Sequence, residues 1–146
     1  MMLHPEITGD CACFNLRSAS RAISQVYDHA LQPSGLRSTQ FSLLAALAER
    51  GPMSLSRLAK RMAMDRTTLT RNVRPLERKR LIRVVPARDR RLRVVELTEE
   101  GRLALVDSVP LWKQAQARVL DRHGRERWDG LRDELQEVVE VARLLA

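Results

Sequence analysis

The residues best suited to chemistry in this sequence are arginines and threonines, and the chemistry they suit is recognition of a polyanion. Residues 65–78 read Asp-Arg-Thr-Thr-Leu-Thr-Arg-Asn-Val-Arg-Pro-Leu-Glu-Arg. Asp65 is a natural N-cap, because its carboxylate can accept from the free amides of a first helical turn. Leu69, Val73 and Leu76 recur at i, i+4 and i+7, which turns one apolar stripe toward a core. At 100° per residue, Thr67, Thr70, Arg71, Arg74 and Arg78 gather on the opposite face with no carboxylate among them. Arginine bonds bidentately to guanine edges or to phosphate, and a threonine hydroxyl serves either target. The face therefore fits a nucleic-acid groove, with Arg66, Thr67, Thr70, Arg71 and Arg74 as the candidate contacts. Pro75 removes a backbone bond to the Arg71 carbonyl, so a kink is expected there. Leu76 continues the stripe, so the helix is not expected to end, and its groove-reading half runs over 66–71.

A second basic feature follows. Residues 82–86 and 92–97 read as two strands joined by Ala87-Arg88-Asp89-Arg90-Arg91, a connection that projects three arginines. Arginine at a hairpin tip can enter a minor groove, where negative potential is concentrated. Arg88, Asp89, Arg90 and Arg91 form this second candidate set. The charge distribution agrees with both. Residues 50–93 hold 15 Lys and Arg against 3 Asp and Glu, although the whole chain carries only +8. A merely solvated basic face is the plainer explanation of the charge, but the one-sided placement of residues 65–78 favours a polyanion partner.

The elements that must position these residues can be read from periodicity. A first helix is expected over 10–31, with Leu16, Ala19, Ile23, Val26 and Ala30 at 3-4 spacing. A second starts at Thr39 as N-cap and stops at Gly51-Pro52, and a third starts at Ser54. Two short helices joined by a tight turn, the second one basic, make a helix-turn-helix. Thr98-Glu99-Glu100 caps a long helix, with Pro110 inside it, that ends near His123-Gly124. Residues 125–145 form the last helix, with Trp128, Leu131, Leu135, Val138, Ala142 and Leu145 in a strict seam. The first and last helices could pack on each other within one chain. The reading favoured here is a homodimer interface built from Leu16, Ile23, Trp128, Leu131, Leu135 and Val138. The fold class is thus mainly α with a small β-hairpin wing: about six helices and two to three short strands. One domain is expected over 1–146, with the DNA-binding part at 36–100 and the helical dimerisation part at 10–32 and 101–146.

Other chemistries find little support. No Gly-rich phosphate loop, His-Glu-x-x-His or paired catalytic constellation is present, and His4, His29 and His123 are scattered. No enzyme activity and no cofactor are expected. Cys11, Cys13 and His4 lack a fourth ligand and a usable spacing, so no metal is expected. Cys11 and Cys13 would lie about 200° apart on one helix and could not bond to each other without unwinding it. No apolar run reaches the ~18 residues of a membrane span, and no signal peptide is visible, so a cytoplasmic protein is expected. Residues 1–9 read as a loose lead-in.

With these elements in order, the chain resembles the MarR family of bacterial transcription regulators. The resemblance rests on Leu58-Ala59, Arg66-Thr-Thr-Leu-Thr-Arg, Leu76-Glu77, Leu81-Ile82, Asp89-Arg90-Arg91 and Leu97-Thr98-Glu99-Glu100-Gly101. It implies a homodimer on a near-palindromic double-stranded operator, acting as a repressor. Release would follow binding of a small aromatic ligand or oxidation of a cysteine. It further implies that Arg91 enters the minor groove, held by an ion pair to Asp89, and that the helix residues meet the major groove. Cys13 followed by Phe14 resembles the branch that senses organic hydroperoxides. Tyr27, fourteen residues on, matches one tyrosine of that branch; Arg17, four residues on, stands where the other would be. An arginine one turn away would still favour a thiolate, although a free cysteine can equally be a small buried hydrophobe. The family's other sensing mode, a pocket between the first, second and fifth helices, would take its polar lining from His29, Arg17 and Tyr27. An architectural DNA-binding protein without an effector is the alternative function.

Overall fold

The structure, a computed structural model, describes residues 6–146. It opens with a single helical turn, α1 (Glu6–Asp10), followed by the long helix α2 (Ala12–Leu31). The single helix expected from residue 10 is therefore broken. Cys11 adopts an extended backbone (φ −67°, ψ 113°) and caps α2, its Sγ accepting from the Phe14 amide at 3.4 Å. The Asn15 side-chain amide lies against the carbonyls of Thr8, Gly9 and Cys11 at 3.2, 3.1 and 2.9 Å, which satisfies the end of α1. Of the expected lead-in, residues 6–9 are thus helical, while residues 1–5, His4 among them, lie outside the described residues. Cys11 is also not on the helix that carries Cys13, so the 200° argument does not apply; both thiols are free.

α2 ends in a 3-10 turn, Gln32–Ser34, closed by Gly35 in the left-handed region at φ 74°. α3 (Ser38–Arg50) starts a residue before the expected cap. Asp28 of α2 supplies the reason: its carboxylate accepts from the Ser38 amide at 2.6 Å, a cap from another element that local spacing does not reveal. β1 (Met53–Ser54) leads into α4 (Leu55–Arg61), capped as expected by Ser54. α5 (Arg66–Arg78) follows, continuous through Pro75. β2 (Ile82–Pro86) and β3 (Arg93–Leu97) form the hairpin, and β1 adds to the other side of β3, giving an antiparallel sheet in the order β1-β3-β2. Ile82 faces Leu97 and Val84 faces Val95. α6 (Glu99–His123) and α7 (Arg125–Leu145) complete the chain. The mainly α fold with a small wing is as expected. No helix among the described residues is long and apolar enough to cross a membrane.

The core gathers beneath α5. Leu69 and Leu76 are fully buried, with Leu43, Leu44, Leu47, Leu58, Ile82 and Val95 around them. At about 1.5–3 kcal/mol per buried aliphatic side chain, this cluster is the main anchor of the helix-turn-helix and the wing. α2 adds only Leu31 to it, and α7 adds nothing.

Candidate nucleic-acid interface

α5 presents its polar side to solvent because its apolar side is fully used. Asp65 begins the helix: its Oδ1 accepts from the Thr68 amide at 2.8 Å and its Oδ2 from the Thr68 hydroxyl at 2.7 Å. The Thr68 amide, and then the hydroxyl, hold the Asp65 carboxyl below its ordinary value. Arg66, Thr67, Thr70, Arg71, Arg74 and Arg78 line one open concavity of about 750 Å³. The structure therefore brings together all five helix residues singled out in the sequence, with Arg78 beside them. None of their guanidiniums is in an ion pair among the described residues.

Two of the six are partly engaged within the protein. The Thr70 hydroxyl donates to the Arg66 carbonyl at 2.8 Å, leaving only its lone pairs outward. Arg66 donates to the Ser56 hydroxyl of α4 at 3.2 Å, which ties α5 to the preceding helix. Arg71, Arg74 and Arg78 remain exposed cations on successive turns. Ser56 escaped the sequence reading because nothing local links it to Arg66. Arg93 of β3 did so too: it lines a cleft of about 280 Å³ with Thr70, Arg74 and Glu77, next to the main concavity.

The wing tip is exposed at Arg88, Asp89, Arg90 and Arg91. Its order comes from the backbone. Ala87 and Leu92 close the turn through the Ala87 amide to the Leu92 carbonyl at 3.0 Å, and Asp89 accepts from the Arg91 amide at 3.1 Å. The expected Asp89–Arg91 ion pair is not what forms. The carboxylate is taken by the Arg91 main chain, which fixes the tip and leaves the guanidinium outward.

The candidate sensor residues Cys13 and Tyr27 do not meet within one chain; contact between them would have to come across a dimer. Cys13, Arg17 and Tyr27 all lie on α2, and fourteen residues of helix separate Cys13 from Tyr27 by about 21 Å. Cys13 and Arg17 are exposed on the single chain. The Tyr27 hydroxyl donates to Gln116 of α6, and burial pushes its phenol up from its ordinary range. Tyr27 instead lines a cavity of about 330 Å³ with Phe41, Met62, Met64 and Trp112. It sits between α2, α3, α6 and the turn joining α4 to α5. The Phe41 and Trp112 rings stack at 6.0 Å and 13°. No charged residue lines this cavity, and neither His29 nor Arg17 reaches it.

The seam residues also meet. Leu16, Ile23, Trp128, Leu131 and Leu135 line one apolar groove of about 910 Å³ between α2, the end of α6 and α7. Val138 does not line it, but lies exposed further along α7. Leu16, Ile23, Leu131 and Val138 keep 36–42% of their surface in solvent. A contiguous apolar surface of this kind is what partner proteins or ligands cover.

Comparison with known proteins agrees with this geometry. The MarR family model matches residues 36–92. The M. tuberculosis transcriptional regulator MosR, solved in complex with DNA, is 41% identical, superposes with a TM-score of 0.85, and aligns over 93% of this chain and 98% of its own. A MarR-family regulator from Rhodococcus sp. RHA1 is 25% identical at a TM-score of 0.78, over 90% of this chain and 94% of its own. The transcriptional repressor NicR of Pseudomonas putida is 34% identical over 68% of this chain. The chain spans 63% of NicR, and 62–63% of the other curated relatives it matches.

Proposed function

The chain belongs to the MarR family, and from that premise we propose that it is a homodimeric repressor that binds a near-palindromic operator in double-stranded DNA. The observation that carries this reading is the side of α5 that holds Arg71, Arg74 and Arg78, exposed and unpaired with carboxylates among the described residues. An α-helix with such a side fits a major groove, and the exposed wing arginines reach the flanking minor groove. Two-fold symmetry sets the two α5 helices about one DNA turn apart, ~34 Å. The part of the chain that holds the DNA is 36–100; residues 10–32 and 101–146 join the two copies.

The effector would enter the Tyr27–Trp112 cavity. Its Met62 and Met64 flank the turn into α5, so an occupant presses on the helix-turn-helix itself. With hydroxyls from Ser24, Ser38, Thr39 and Ser42 and no cation in its lining, the cavity favours a neutral aromatic molecule. A carboxylate would be desolvated there without a partner. Cysteine oxidation is the second route to release, favoured by the exposure of the Cys13 thiol on α2.

The test is affinity for a palindromic duplex selected from random DNA, against a scrambled duplex at one salt concentration. Arg71→Ala should lose about 1–3 kcal/mol on the selected duplex and less on the scrambled one. Equal loss on both would make Arg71 a phosphate contact. Wild-type binding that ignores sequence would make the protein an architectural one. The same assay after mild organic hydroperoxide, with Cys13→Ser as control, separates the release routes. Tenfold loosening, about 1.4 kcal/mol, that the serine variant resists would assign the thiol.

A further inference from the structure

Between α5 and the wing lies the cleft of about 280 Å³ that the two sequence-derived contact sets leave unassigned. It shares Thr70 and Arg74 with the concavity of α5, and Arg93 of β3 bounds it from the sheet. Leu55, Val73 and Val84 supply its apolar lining, and Glu77 is its one carboxylate.

The strand explains why Arg93 points there. Side chains alternate across a strand, so Arg93 shares a side of β3 with Val95, two residues on. Val95 is fully buried in the core. Arg93 therefore projects on the core side of the sheet, but beyond the edge of the core, where it is exposed. Arg83 lies on the opposite side, where its guanidinium pairs across the ladder with Glu96 at 3.2 Å. Arg74 and Arg93 have no ion pair among the described residues. Two unneutralised guanidiniums thus border one cleft, from a helix on one wall and a strand on the other.

The place of this cleft matters. With α5 in a major groove and the wing tip in the flanking minor groove, the sugar-phosphate strand that divides the two grooves has to cross between them. Its path runs over the cleft. That strand alternates anionic phosphates with less polar sugars, and the cleft offers arginines at its rim over an apolar lining. We propose that Arg74 and Arg93 form a two-walled clamp on the DNA backbone strand between the grooves, Arg93 being a phosphate contact and no reader of bases. The inference rests on the DNA-binding reading above and adds a contact that positions α5 and the wing together. Glu77, three residues beyond Arg74, is a like charge to the phosphates and tempers the hold.

The experiment measures affinity of the full-length protein for the selected and the scrambled duplex across a series of salt concentrations. Arg93→Ala should weaken both duplexes alike, by about tenfold, and should make the slope of log affinity against log salt shallower by about 0.9, one phosphate neutralised. Arg74→Ala should do the same. Arg93→Lys keeps the charge and should keep the wild-type slope. Glu77→Gln should tighten both duplexes about threefold, and a looser complex would overturn the path of the strand. An Arg93→Ala protein with an unchanged slope, or with a loss confined to the selected duplex, overturns the clamp and leaves the regulator reading intact. So does an Arg93→Lys protein whose slope matches that of Arg93→Ala. A wild type that binds all duplexes alike overturns the repressor reading, while the slopes still decide the clamp. A wild type that binds no duplex overturns both.

Discussion

α5 buries Leu69, Val73 and Leu76 to 0, 4 and 0% exposure, whereas α7, with 21 residues against 13, buries none. Both helices are amphipathic, and both follow apolar residues at three and four. The difference is what lies opposite. α5 meets α3, α4 and the sheet of its own chain, so its other side is free for a ligand. α7 meets α6 and, through Arg143 donating to the Lys60 carbonyl at 2.8 Å, the end of α4, but its seam residues Leu131 and Val138 stand 41 and 42% exposed. One region is completed by intramolecular packing. The other leaves an apolar side uncovered, which the proposed homodimer would close.

The contrast can be broken from either side. Leu69→Ala should be the most damaging change, costing about 2–5 kcal/mol because the cavity lies under α5 where no neighbour can collapse into it. Chemical denaturation reads this directly, and a loss below 1 kcal/mol would mean that the core is not centred there. Leu131→Asp attacks the other region. It should turn the dimer into monomers by sedimentation and weaken operator binding at least 100-fold, about 2.7 kcal/mol. Amide protection in α5 should survive, and its loss would show that the head depends on the dimer. Arg91→Ala tests the surface that the head displays: a loss of about 1 kcal/mol on the operator, with dimerisation unchanged, is expected of a wing contact.

The smallest effect belongs to the cap of α5. Thr68 holds the Asp65 carboxyl below the ordinary value of 3.8. A depressed acid contributes stability above its unfolded value and loses it as pH falls through the folded one. Between pH 5 and 3 the wild type should therefore lose a little more thermal stability than Asp65→Asn, which keeps an N-cap but does not titrate there. Parallel pH profiles for the two proteins would remove Asp65 from the account.

Much of this was legible in one dimension because the signals are local. The stripe of α5, the caps at Ser54, Asp65 and Thr98, the hairpin and the basic side of residues 65–78 each depend on neighbours within four residues or across one turn. The misreadings are those in which a side chain takes a partner, near or far, that helical and strand periodicity does not count. Asp28 moved the start of α3, and Asn15 with Cys11 broke the first helix. Asp89 spent its carboxylate on a backbone amide instead of the Arg91 guanidinium. Tyr27 bonds to Gln116, 89 residues away, a partner that no local spacing reveals.

The sequence by itself determined which residues are cationic and on which side of a helix they fall, since charge and a 100° step need no partner. It likewise determined that two seams exist. Only the tertiary structure decided that Gly101 packs on the Leu81 carbonyl with no room for a side chain, that hydroxyls and methionines enclose an uncharged cavity, and that the seams stay uncovered. Those are facts about surfaces brought together by burial, and burial is a property of the whole chain that no short window contains.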